Sequence, residues 1–179
     1  MAGRMHKTRP IFTIGHSTLP LETFLERLRA FDVQRVVDVR TLPRSRHNPQ
    51  YNREDLGPAL RRKGFGYIHV KGLGGLRRAR ADSINTGWRN ASFRGYADYM
   101  QTPEFERNLE RLIRMAREKT IAVMCAEAVP FRCHRSLIAD ALTVRGLEVR
   151  HITSARTAKG HQLTPWIHVE NGRISYPEP

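Results

Sequence analysis

"IAVMCAEAVPFRCHRSLIADAL", residues 121–142, carries the pattern from which the fold follows. Ile121 to Met124 is an unbroken apolar run. It is too short for a helix and lacks the alternation of a half-exposed strand, so it reads as a strand buried on both faces. From about His134, the residues Leu137, Ile138, Ala141 and Leu142 recur at helical spacing, and Gly146 closes the helix. A doubly buried strand that leads into an amphipathic helix is the building unit of a parallel sheet between two helical layers. The turn joining them holds both cysteines of the chain, Cys125 and Cys133, with Glu127, Arg132, His134 and Arg135 around them.

The same alternation extends outward in both directions. Ile11 to His16 reads as a short buried strand, and Leu21, Phe24, Leu25, Leu28 and Phe31 mark a helix for which Thr18 is the expected cap. Val36 to Val39 is a second strand. Asn52-Arg53-Glu54-Asp55 resembles a capping box, opening a helix that Gly64 ends and that Gly57-Pro58 kinks or delays. Tyr67 to Val70 is a third strand, followed by a Gly/Arg-rich connection over residues 71–92. Thr102-Pro103-Glu104 starts a helix with an apolar stripe of Phe105, Leu109, Leu112, Ile113 and Ala116. Glu148 to Ile152 is a further strand, and Asn171-Gly172 between two alternating runs predicts a hairpin. The expected fold class is α/β: a single three-layer domain over residues 11–179, with a mainly parallel central sheet flanked by helices and a C-terminal β-hairpin. Residues 1–10 read as a basic disordered tail.

Composition narrows the classes. No apolar run has the length of a membrane span, and MAGRMHKTRP lacks the apolar stretch and cleavage site of a secretory signal. A cytoplasmic location without membrane partners is expected, with Cys125 and Cys133 as thiols. Basic residues number 31 against 17 acidic ones, a formal net charge of +14, and only five of the 31 are lysine. Arginine makes planar, bidentate contacts with phosphate and carboxylate, which suits an anionic small molecule or a nucleic acid as partner. Compositional use of Arg on solvated faces accounts for the same count. Oligomeric state is not legible.

In a parallel α/β sheet, ligands collect at the carboxyl ends of the strands. His16, Asp38 with Arg40, His69 and Cys125 all fall at or just past a predicted strand end. The turn after Cys125 aims backbone N–H groups and a helix N-terminus at one point, with Arg132 and Arg135 adding charge. Such a field favours a thiolate nucleophile. The layout resembles rhodaneses and cysteine phosphatases, although Arg132 follows Cys125 by seven residues where phosphatase loops use six. Two other readings stay open: Cys125, Cys133, His134 and His16 (with His69) as ligands of a zinc ion, or two thiols that simply pack in the core. "DVRTLPRSRHNPQYN" (38–52) is a proline-stiffened loop carrying Arg40, Arg44, Ser45 and Arg46. In residues 72–100, arginines including Arg94 interleave with Trp88, Phe93, Tyr96 and Tyr99, which suits either a lid or stacked-base contact.

Taken together, "TIGHS", "DVRTLPRSRHNPQYN", "LGG", "FRGYADYM" and "MCAEAVPFRCHRSLIADAL" resemble the bacterial and archaeal family catalogued as domain of unknown function 488, from about Ile11 to Ile152. The resemblance implies a compact α/β domain with a clustered polar pocket. It carries family motifs onto His16, Ser17, Asp38, Arg40, Pro43, Ser45, Arg46, Gly74, Gly75, Arg94, Tyr96, Cys125, Glu127, Cys133, His134 and Arg135. Tyr51 and Phe131 stand where the family pattern has Phe and Trp, and both keep a ring. The expected function is an enzyme acting on a nucleotide, nucleic acid or other anion. Its catalytic candidates are Cys125, His16, His134, Glu127 and Asp38, and its substrate-binding candidates are Arg40, Ser45, Arg46, Arg94, Tyr96, Arg132 and Arg135. The alternative is a non-catalytic nucleotide- or nucleic-acid-binding module.

Overall fold

A computed structural model describes residues 8–179; residues 1–7 of the expected basic tail lie outside the described residues. The chain runs β1 (Ile11–Gly15), α1 (Leu21–Ala30), β2 (Arg35–Asp38), α2 (Arg53–Arg62), β3 (Gly66–His69), α3 (Ala91–Tyr99), α4 (Pro103–Glu118), β4 (Ile121–Cys125), α5 (Arg135–Val144), β5 (Val149–Ile152), β6 (Ala158–Gly160), β7 (His168–Glu170) and β8 (Arg173–Ser175). Six strands form one sheet in the order β3-β2-β4-β1-β5-β6, and β7 and β8 form a separate hairpin. Strands β1 to β5 are parallel, while β6 lies antiparallel against β5. This is the expected α/β sandwich with its C-terminal hairpin.

Period-two alternation splits the apolar residues into two cores. Phe12, Ile14, Val36, Ala122 and Met124 pack against Phe24, Leu25 and Leu28 of α1 and Leu56 and Leu60 of α2. Val37, Val123 and Cys125 face the other way, onto Leu109 and Leu112 of α4 and Leu137 and Ile138 of α5. Among the described residues, no helix is long and apolar enough to cross a membrane.

Local signals hold where side chain and backbone agree. Thr102 caps α4 by accepting from the Phe105 amide at 3.3 Å. Asn171 and Gly172 both adopt positive φ, 49° and 77°, as a two-residue hairpin turn of type I′ requires.

Three expectations are corrected. Thr18 caps nothing: α1 begins at Leu21 with Pro20 as the capping residue. Asn52 does precede α2, but its side chain accepts from the Ser45 amide at 2.8 Å and makes no capping bond. Pro58 does not delay α2, which opens at Arg53 and runs through it, since the missing N–H leaves a single carbonyl of the first turn without its helical partner. The three-residue edge strand β6 was not anticipated; it is largely exposed, so no apolar period marks it.

Candidate active site

The sheet order makes a crevice at one place. From β1 the chain crosses by α1 to β2 on one side, and from β4 it crosses by α5 to β5 on the other. Helices α1 and α5 cover opposite faces. The connections therefore part between the carboxyl ends of β1 and β4, the position where open α/β sheets bind ligands. There the loops after the two strands are joined by the His16 amide to the Cys125 carbonyl (3.0 Å) and the Ser17 amide to the Ala126 carbonyl (2.9 Å). A cleft of about 330 Å³ opens beside this junction. Its wall includes Arg40, Tyr96, Cys125, Glu127, Arg132, Cys133 and His134, together with Thr41, Leu42, Gly75, Leu76 and Phe93.

The two thiols meet at its base, with Cys125 Sγ 2.9 Å from Cys133 Sγ. A hydrogen bond from Cys133 lowers the Cys125 pKa, against the opposing effect of burial and with help from the Arg135 charge. The same bond and burial push Cys133 far up, so of the two thiols Cys125 is the one that loses its proton more readily. Arg135 is 1% exposed. Its Nη2 donates to the Glu127 carbonyl at 3.0 Å, while Nε and Nη1 have no partner. A buried guanidinium without a carboxylate is costly, and its charge favours the ionised form of Cys125. His134 donates from Nε2 to the Val39 carbonyl (3.1 Å), which leaves Nδ1 as an acceptor 3.5 Å from Cys133 Sγ. Burial lowers its pKa to about 4, so the ring is neutral at pH 7. Gly75 leaves room for it, because a Cβ there would lie 3.1 Å from His134 Nδ1.

Asp38 and Arg40 form a second polar knot. Arg40 donates from Nε to Oδ1 (2.9 Å) and from Nη2 to Oδ2 (2.7 Å) of Asp38, and Tyr67 Oη donates to Oδ2 at 2.6 Å. Arg40 Nη2 also reaches the Tyr51 carbonyl at 2.8 Å. Asp38, a catalytic candidate, thus holds a guanidinium in place. His16 belongs to this knot and forms no hydrogen bond to either thiol. Its Nδ1 donates to the Ser17 carbonyl (2.8 Å), its Nε2 faces Arg40 Nη1 at 3.3 Å, and its ring stacks on Tyr51 with centroids 4.1 Å apart. Burial, chiefly, holds its pKa near 4. The reason is register: Gly15 pairs with Cys125, so those two share a face and His16, one residue on, turns to the other.

The remaining candidates divide. Tyr96 is buried and donates to the Leu73 carbonyl (2.8 Å), with its ring 5.0 Å from that of His134. Glu127 accepts from the Val129 amide (3.0 Å) and shapes the turn. Arg132 is exposed on the cleft wall. Ser45, Arg46 and Arg94 are not among the lining residues. Ser45 Oγ accepts from the Asn48 amide, Arg94 Nε donates to the Trp88 carbonyl, and Arg46 is exposed. Arg44 pairs with Glu54 on the surface. Of the apolar wall, Phe93 was among the aromatics singled out in the sequence, while Leu42 and Leu76 were missed, since exposed loop leucines carry no signal until neighbours are known.

Among the described residues, no three His, Cys, Asp or Glu side chains converge as metal ligands. His16 and His69, two of the proposed zinc donors, are occupied by Arg40 and by the Arg40 carbonyl (2.6 Å from His69 Nε2).

No curated protein and no solved structure matches the chain. The family model described as "Domain of unknown function DUF488" matches residues 20–142, a span that runs from the start of α1 through β4, the thiol loop and α5. Covering most of the chain, with Asp38, Arg40 and both thiols inside the match, this places the protein in the DUF488 family.

Proposed function

We propose that the protein is an enzyme whose nucleophile is the Cys125 thiolate and whose substrate is a small anion or a molecule with an anionic group. One observation carries the reading: a hydrogen-bonded thiol pair lies beside a buried, partly unpartnered guanidinium on the wall of a cleft at the switch point of the sheet. In this reading the Cys125 thiolate is the attacking group, the Cys133 thiol keeps its proton and steadies that thiolate by a hydrogen bond, and neutral His134 packs beside Cys133. Arg135 neutralises charge from below and exposed Arg132 draws the substrate in. Asp38, Arg40 and His16 hold the floor of the cleft. A nucleotide or nucleic-acid substrate is the finer form of the proposal, supported by the net charge of +14.

Labelling of the native protein tests the nucleophile. Iodoacetamide should modify Cys125 with a midpoint below the ordinary thiol value of about 8.5, because the rate follows the thiolate fraction and that fraction rises at lower pH when the pKa is depressed. Cys133→Ser weakens the hydrogen bond and Arg135→Met removes the charge; each should raise the midpoint by about one pH unit. A midpoint at or above the reference, indifferent to both substitutions, overturns the reading. Stoichiometric zinc in the purified protein, released by replacing either cysteine, would replace it with a metal site.

A further inference from the structure

A second, larger cleft of about 910 Å³ opens on the other side of the thiol loop, between the carboxyl ends of β1 and β5. The loop is the partition: Ala126, Glu127, Arg132 and Cys133 face the first cleft, and Ala128 to Phe131 face the second. Its volume lies in the range of small-molecule sites.

The lining chemistry is one-sided. Trp88, Trp166 and Phe131 supply aromatic surface, and Phe131 is 72% exposed. Arg27 and Lys159 supply two cations, and no Asp or Glu lines the cleft. Neither cation forms an ion pair among the described residues.

The floor is rigid. Asp140 accepts from His161 Nε2 at 2.7 Å; His161 Nδ1 therefore accepts from His151 Nε2 at 2.8 Å, and His151 Nδ1 accepts from Thr13 Oγ1 at 2.6 Å. Thr164 and Tyr176 donate to the same Asp140 carboxylate. Each imidazole nitrogen on this string is occupied, so neither ring has a free nitrogen with which to hold an anion. That role falls to Arg27 and Lys159.

We infer that this second cleft is a binding site for a planar aromatic anion of mononucleotide size, its ring against Trp88, Trp166 and Phe131 and its charge on Arg27 and Lys159. The site is separate from the thiol chemistry and does not depend on it.

Trp88 and Trp166 are the only tryptophans of the chain and both line this cleft; because Trp88 also stacks on Phe93 of the first cleft, the double variant below assigns a fluorescence change to this wall. The full chain is titrated with adenosine 5′-monophosphate, adenosine and inorganic phosphate, exciting at the red edge of the indole band where the base does not absorb. Saturable quenching by the monophosphate is expected, with affinity about tenfold or more above that of adenosine, a factor worth about 1.4 kcal/mol. Arg27→Ala with Lys159→Ala should bring the monophosphate down to the level of adenosine and leave adenosine unchanged. Circular dichroism checks that the double variant is folded; if it is not, added salt applied to the unaltered protein must weaken the monophosphate and not adenosine. Cys125→Ser should bind as the parent does, so loss of the nucleophile reading leaves this one standing. Lack of saturable quenching, a double variant that binds undiminished, equal affinity for adenosine, or protection of Cys125 from iodoacetamide without any fluorescence change overturns the inference.

Discussion

Asp38→Ala destabilises the protein by about 3–5 kcal/mol, the range for breaking a buried ion pair from one side. Asp38 is fully buried and accepts from the Arg40 amide (3.1 Å), Arg40 Nε, Arg40 Nη2 and Tyr67 Oη. Without it, a guanidinium that is 6% exposed keeps only the Tyr51 carbonyl and the His16 ring as partners. The lost attraction is smaller than the cost of the cation left behind, and a control separates the two. Asp38→Leu with Arg40→Met removes both charges and should cost clearly less than the single change. Urea unfolding monitored at constant m measures both. A single-variant cost below about 1 kcal/mol, or a double variant no better than the single, contradicts the description of the knot as a buried, mutually dependent pair. Loss of the knot should also slacken the first cleft, because Arg40 forms part of its wall and its carbonyl is held by His69.

Gly15→Ala should have the largest effect on the thiol site of any single methyl group. A Cβ at position 15 would lie 1.9 Å from the Glu127 carbonyl oxygen and 2.9 Å from Ala128 Cα. These are backbone atoms, so the loop itself must give way. That loop carries the hydrogen bonds of Arg135, whose Nη2 reaches the Glu127 carbonyl and, at 3.5 Å, that of Ala128. Overpacking of this kind costs about 1–3 kcal/mol. The site shows it separately: with Arg135 and the loop displaced, the iodoacetamide midpoint of Cys125 should rise toward the ordinary thiol value of about 8.5. A variant with parental stability and an unchanged midpoint would mean that the loop is not held against β1 as the structure places it.

Much of the fold was legible because its signals are local. The apolar run Ile121 to Met124, the helical spacing of Leu137, Ile138, Ala141 and Leu142, the Thr102-Pro103 start and the Asn171-Gly172 turn each depend on residues within a few positions of one another. The same locality explains the pairing of Cys125 with Cys133: a strand end and the next helix start are joined by a short loop that must double back. The failures were local signals outcompeted by distant partners. Asn52 had the right spacing for a capping bond, but the Ser45 amide takes its side chain. Edge strand β6 has too little burial to leave a pattern.

Residue periodicity by itself determined the α/β class, the hairpin and a cluster of polar groups at the carboxyl ends of the strands. Strand order and register were decided only in three dimensions, since hydrogen bonding between β1 and β4 joins segments more than a hundred residues apart. That register sends His16 to the face opposite Cys125. It also leaves Arg40 neutralised by Asp38 while Arg135 lies beside the thiols without a carboxylate. An arginine reads the same in sequence whether it is paired, exposed or buried alone; its neighbours across the sheet settle which charge is left to act.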